Sequence, residues 1–196
     1  DSTGESADLG EVIKAILLDP EVLSGGDRDQ FQGKVREPII RYASLARAFN
    51  LVSESGKYST NQPLLNDDFG QFPMLAPSVF NFYLPDFAPE GEFREAGMVS
   101  PELQLASLSQ MLRSDSRFAA SVEESGVSGR FDFTRELALV SEPSALVSRV
   151  DLLMTGGRLK AETKLTILNA VKNELTDLEK VRTAIYLVSQ SMECIV

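Results

Sequence analysis

The sequence holds 196 residues, 43% of them apolar, with 29 acidic side chains against 19 basic ones and a formal net charge of −10. That balance suits one to one and a half ordinary globular domains and excludes general disorder. The acidity argues against nucleic acid and anionic membranes as partners, because Arg28, Lys34, Arg36, Arg41 and Arg47 are spread among acids and form no basic cluster.

Residue absences narrow the chemistry further. There is no His, no Trp and one Cys. No His-based catalytic relay, no zinc site of His or paired Cys ligands and no internal disulfide can form within these residues. No run approaches the ~18 apolar residues of a membrane-spanning helix. Neither a cofactor nor a metal is expected, and the sequence singles out no catalytic residue.

In chain order, Asp8 with Glu11 three residues on has the pattern of a capping box, and Leu9, Val12, Ile13, Ile16 and Leu17 follow at helical spacing. Asp19-Pro20 ends or kinks that helix, and Ser24-Gly25-Gly26-Asp27 reads as a turn. A second helix is expected from Glu37-Pro38, with Ile39, Tyr42, Ala43, Ala46 and Phe49 as its apolar stripe and Arg41 and Arg47 elsewhere on the wheel. Residues 50–100 form a long irregular insertion, broken by Pro63, Pro73, Pro77, Pro85 and Pro89 and by Gly56, Gly70, Gly91 and Gly97, with a short helical turn near Ser78 to Phe82. Ser100-Pro101-Glu102 starts a helix carrying Leu105, Leu108 and Leu112 to about Asp115. Ser121 to Gly129 reads as an acidic loop, and Phe131-Asp132-Phe133 as a short extended bridge.

The last third is helical. Ser141-Glu142-Pro143 opens a helix with Leu146, Val147, Val150, Leu153 and Met154, closed by Gly156-Gly157. Ala161, Leu165, Leu168, Val171 and Leu175 mark the next face, and Thr176 caps a final helix with Leu178, Val181, Ile185, Val188 and Met192. Connections this short join antiparallel neighbours. The expected fold is therefore all-α, an irregular bundle of five to seven helices in a single domain over residues 1–196, with the 50–100 insertion inside it.

Several segments resemble a known family. They are Gly33-Lys34-Val35-Arg36-Glu37-Pro38 with the later Arg47-Ala48-Phe49, Pro77-Ser78-Val79-Phe80-Asn81-Phe82-Tyr83 with Pro85-Asp86 and Pro89, Gly97-Met98-Val99-Ser100-Pro101-Glu102-Leu103-Gln104, and Tyr186-Leu187-Val188-Ser189-Gln190-Ser191. Together they resemble the bacterial family known as domain of unknown function 1800. At the last of them that family often has Ser-Pro-Glu where this chain has Ser191-Met192-Glu193. The resemblance implies that the chain is the C-terminal portion of a longer protein whose N-terminal half is helical, and that export of the whole protein is open. It implies no activity.

Three features invite a functional reading. Between Phe69 and Phe93 lie seven of the 15 aromatic residues. They form either a binding loop that presents rigid rings to a partner or a long loop pinned to the helices by its own anchors; the composition favours the second. Arg36, Glu37 and Arg41 are candidates to pair with Asp86 or Glu90 of that loop, either as a polar pocket gripping an anionic group or as an ion-pair network docking the loop; here too the second is favoured. Asn66-Asp67-Asp68 has adjacent acids where a calcium loop needs alternating ones, and Gly25 to Gly33 and Gly126-Val127-Ser128-Gly129 match neither a phosphate loop nor a nucleophile elbow. The candidate binding residues are Arg36, Arg41, Phe80, Asn81, Phe82, Tyr83 and Asp86. The leading functional expectation is a non-catalytic interaction or structural module whose partner is a protein or the N-terminal half of its own chain. The alternative is the accessory half of a hydrolase with its catalytic residues in that N-terminal half.

Overall fold

A computed structural model describes residues 8–23, 34–53, 56, 68–123 and 129–196. The turn expected at Ser24 to Asp27, the residues Asn66 and Asp67, and Ser128 lie outside the described residues. The chain divides into two compact units, Asp1–Gly33 and Lys34–Val196. Among the described residues the fold is all-α, with isolated antiparallel bridges at Val52–Arg130 and Ser78–Asn81 and no sheet.

The first unit contains helix α1 (Leu9–Leu17) and the single turn α2 (Pro20–Leu23). Asp8 caps α1 as its sequence pattern predicts, its carboxylate accepting from the Gly10 N–H at 2.8 Å and the Glu11 N–H at 3.3 Å. Leu9, Val12, Ile13, Ile16 and Leu17 are all exposed.

The second unit carries the core. Its helices are α3 (Pro38–Ala48), α4 (Glu92–Glu95), a 3-10 turn (Pro101–Leu105), α5 (Leu108–Glu123), α6 (Thr134–Leu137), α7 (Pro143–Thr155), α8 (Ala161–Asn173), α9 (Asp177–Ser189) and α10 (Met192–Ile195). Helix α9 lies at the centre and packs against α5, α6, α7 and α8. Its buried Val181, Ala184, Ile185 and Val188 recur at the spacing of one helix face, and they meet Leu146, Val147 and Val150 of α7 and Ile167 and Val171 of α8 in one apolar cluster. Thr176 starts α9 with a full capping box: its hydroxyl oxygen accepts from the Glu179 N–H at 3.2 Å, and its own N–H donates to the Glu179 carboxylate at 3.0 Å. Pro38 and Pro143 occupy the first helical positions of α3 and α7, where the missing N–H is no loss.

The helix after Ser100 departs from expectation. It splits into the 3-10 turn and α5, and α5 runs on to Glu123 past the expected end at Asp115. The polar residues that argued for a stop are absorbed inside the helix. Ser114 donates to the Gln110 carbonyl at 2.9 Å and Ser121 to the Arg117 carbonyl at 2.7 Å, so buried hydroxyls sit on the core side without unmet polarity. Gly129 follows, beside the Val52–Arg130 bridge. A Cβ there would lie 2.4 Å from the Val52 carbonyl oxygen, so the close backbone approach requires glycine.

One buried carboxylate fixes the α7–α8 corner. Asp151 accepts from the Thr155 hydroxyl, from the Leu159 N–H at 3.1 Å and from the Lys164 ammonium at 3.3 Å. Burial alone would push its pKa up. The three donors outweigh it and hold the carboxyl below the ordinary carboxylate value. A depressed folded pKa contributes stability that is present above the unfolded value of about 4 and is lost as pH falls through the lower folded value. Asp151→Asn is therefore expected to cost about 2 kcal/mol at neutral pH, and that deficit shrinks on acidification to about pH 3. Urea unfolding midpoints of both proteins at the two pH values check this; a deficit that is constant with pH contradicts it.

Candidate functional site

The three segments that lead the family resemblance come together at the N-terminus of α3. Glu37, the residue before Pro38, is their meeting point. Its Oε1 accepts from the Tyr83 hydroxyl at 2.9 Å, and its Oε2 accepts from the side-chain amide of Gln71, which also receives the Ile39 N–H at 3.4 Å. Beside it the Lys34 ammonium lies 3.0 Å from the Glu102 carboxylate, which is buried. The Gln104 side-chain Oε1 accepts from the Leu84 N–H at 2.7 Å, and the Ser100 N–H donates to the Phe87 main-chain carbonyl at 2.8 Å. The hydrogen bond and charge of Glu102 raise the Lys34 pKa. Burial, then the hydrogen bond to Glu37, raise that of Tyr83. Each carboxylate is held by a donor, so the cluster fastens the loop to α3 rather than offering a free acid or base.

The aromatics between Phe69 and Phe93 divide into anchors and tips. Phe69 and Phe72 belong to the core; the Phe69 ring lies 5.5 Å from Tyr42 and 5.8 Å from Phe118. Phe82, Tyr83 and Phe87 are half-buried, while Phe80 is 58% exposed and Phe93 38%. Around Phe80 the chain makes two tight turns. Phe72-Pro73-Met74-Leu75 has proline second and a left-handed residue third, Met74 at φ 67°, the type II pattern, closed by the Leu75 N–H to the Phe72 carbonyl at 3.1 Å. Ser78-Val79-Phe80-Asn81 follows, where a helical turn is expected from sequence. Instead Ser78 and Asn81 bridge antiparallel, the Ser78 hydroxyl oxygen accepts the Phe80 N–H at 3.1 Å, and Asn81 takes φ 74°, a conformation Asn tolerates better than most residues. Met74 and Val79 stand 98% and 95% exposed at these turns, with Leu75 and Leu84 also exposed.

The predicted arginines do not reach the loop acids. The Arg36 guanidinium donates to the Met154 carbonyl at 3.1 Å and its N–H to the Ile195 carbonyl at 2.7 Å. Arg41, 8% exposed, donates to the Ser189 carbonyl at 2.6 Å and lies 4.6 Å over the Phe118 ring. Both serve C-terminal turns of α7 and α9, where main-chain carbonyls lack helix partners and the dipole is negative. Asp86 is exposed, outside the ion pairs formed among the described residues, and Glu90 pairs with Arg94 at 3.8 Å. Of the seven candidate residues, Phe80, Asn81, Phe82, Tyr83 and Asp86 share the loop, and Arg36 and Arg41 belong to the bundle.

Two surface depressions, of about 370 Å³ by Asp68, Arg113 and Arg117 and about 170 Å³ by Phe131, Phe133 and Arg182, include none of the seven. Among the described residues no group of His, Cys, Asp and Glu is arranged to hold a metal ion, and no helix is long and apolar enough to cross a membrane.

Residues 2–196 match the family model described as Protein of unknown function (DUF1800). The chain belongs to that family. No curated protein and no solved structure matches it. For this DUF1800 chain, the residues that sequence reasoning left off its candidate set are Lys34, Gln71, Glu102 and Gln104, with Glu37 at their centre. Four of the five stood inside the resembling segments, which is the signal that could have found them. Gln71 carried none.

Proposed function

We propose that this DUF1800 chain is a non-catalytic protein-interaction module whose recognition surface is the loop tip formed by Met74, Leu75, Val79, Phe80 and Leu84. The observation that carries the reading is their exposure on a loop that is otherwise fastened. Apolar side chains crowd outward on a segment whose two ends are held by Phe69 and Phe72 in the core and by the Glu37–Tyr83 and Gln104–Leu84 bonds. Exposed apolar patches on fixed frames mark association surfaces. Proline and left-handed turn positions pre-order the tip, which lowers the entropy lost on binding. Arg36 and Arg41, the residues considered for a grip on an anionic group, are spent on main-chain carbonyls.

Affinity purification of the protein from its host, with mass spectrometry of what co-purifies, tests the reading when repeated with Val79→Ser and Phe80→Ser together. Both side chains are exposed, so the variant keeps its fold, checked by circular dichroism. The expected result is a partner retained by the native protein and lost from the folded variant. Equal recovery of every partner by both proteins counts against the tip.

A further inference from the structure

The loop that carries the tip is predominantly acidic. From Gly70 to Met111 the acids are Asp86, Glu90, Glu92, Glu95 and Glu102, and the only base is Arg94. Three of these charges are already spent. Glu102 is buried against Lys34, and Arg94 is held between Glu90 at 3.8 Å and the Ala88 carbonyl at 3.1 Å. Asp86, Glu92 and Glu95 remain exposed, and no ion pair among the described residues includes them. Asp86 stands two residues after the exposed Leu84, and Glu92 and Glu95 flank the exposed Phe93 later in the same loop. An apolar segment on so acidic a loop repels acidic partners and steers basic ones.

We infer that the partner offers a lysine- or arginine-bearing apolar segment of a protein, its apolar side chains on Val79 and Phe80 and its cations against Asp86, Glu92 and Glu95. The inference rests on the tip being the recognition surface and adds the partner's chemistry. Like charges along the loop are tolerated because the acids stay hydrated until a cationic segment arrives. Association is then fast at low salt and slows as ions screen the acids, over a Debye length that falls from about 30 Å at 0.01 M to about 8 Å at 0.15 M.

The probe is a fluorescein-labelled amphipathic peptide of leucine and lysine, with the same peptide carrying serine in place of lysine as its neutral counterpart. Binding to the full chain is followed by fluorescence anisotropy. Three proteins are compared with the native one: Asp86→Asn/Glu92→Gln/Glu95→Gln, Val79→Ser/Phe80→Ser, and Glu123→Gln/Glu142→Gln/Glu162→Gln, which removes equal charge from the bundle. The expected result is lysine-peptide affinity at least ~10-fold weaker in the first two and unchanged in the third, with the serine peptide weak throughout. Equal weakening by both charge-removing triples would mean attraction to bulk charge and overturns the inference. Equal affinity for the two peptides, lost only in Val79→Ser/Phe80→Ser, overturns the cationic partner and leaves the tip standing. Indifference of both peptides to Val79→Ser/Phe80→Ser overturns the inference and the tip reading together.

Discussion

Phe69→Ala is expected to cost the second unit about 4 kcal/mol of folding free energy, while Phe80→Ala costs under about 0.5 kcal/mol. Both residues belong to the same aromatic-rich segment, and composition treats them alike. Phe69 is fully buried, its ring set between Tyr42 and Phe118, so truncation opens a cavity among rigid rings that have no way to collapse into it. Phe80 meets mostly solvent, and removing it relieves exposed apolar surface. Denaturant unfolding followed by circular dichroism separates the two, and similar costs for both would mean that the division into anchors and tips is wrong. The pair also gives binding experiments their controls, because a loss of partner in Phe80→Ala reports on the surface and a loss in Phe69→Ala reports on folding.

Arg41→Ala comes next in size, at about 3 kcal/mol, from two sources. The Ser189 carbonyl loses the donor at 2.6 Å in a buried setting, and the Phe118 ring loses the guanidinium above it. Arg41→Lys recovers little, since a point-charged ammonium does not reproduce a planar group that stacks and donates at once. The variant also carries a pH signature. Burial raises the Asp115 pKa, and the charge of Arg41 opposes that rise. Without Arg41 the Asp115 pKa climbs further. A raised folded pKa gives stability present below the unfolded value of about 4 and lost as pH rises through the folded one. The deficit of Arg41→Ala is therefore larger at neutral pH than near pH 4, the same direction as the Asp151→Asn trend but from a raised rather than a depressed carboxylate pKa. Midpoints measured at both pH values decide it; parallel curves would show that Asp115 does not sense Arg41.

The helices were legible because their signals are local. Asp8, Pro38, Pro143, the glycine pair after Thr155, and Thr176 with Glu179 each act within a turn of their own position. Gly156 and Gly157 adopt φ of 73° and 79°, where a side chain is strained, so the end of α7 was fixed by two letters. What required the third dimension was which neighbour each side chain meets. Arg41 was set apart from the expected apolar stripe of α3, yet it lies on the buried face of that helix with Leu45, and the groups that Arg36 and Arg41 meet belong to α7, α9 and residue 195, which no spacing on α3 specifies. The loop expected from Ser121 is helix as far as Glu123, and the bond of the Ser121 hydroxyl to the preceding turn is not visible in the spacing. The candidate site was legible as segments, since Lys34, Glu37, Tyr83, Glu102 and Gln104 all lie in motifs that resemble the family; their pairing with one another, and Gln71 between them, was not.

The order in which the chain is synthesised gives the Arg41 contact a further meaning. Arg41 and its acceptor on Ser189 are 148 residues apart, and Arg36 and Met154 are 118 apart. Helices α7, α8 and α9 are sequence neighbours that close on one another over short loops, whereas Arg36 and α3 leave the ribosome long before the α7 and α9 carbonyls that Arg36 and Arg41 bond. Contacts of such separation carry the largest loop-closure entropy and form last. A nascent chain thus holds Arg36 and Arg41 without their carbonyl acceptors until the final helices emerge, and that waiting interval is when the second unit is most open to aggregation or to capture by chaperones.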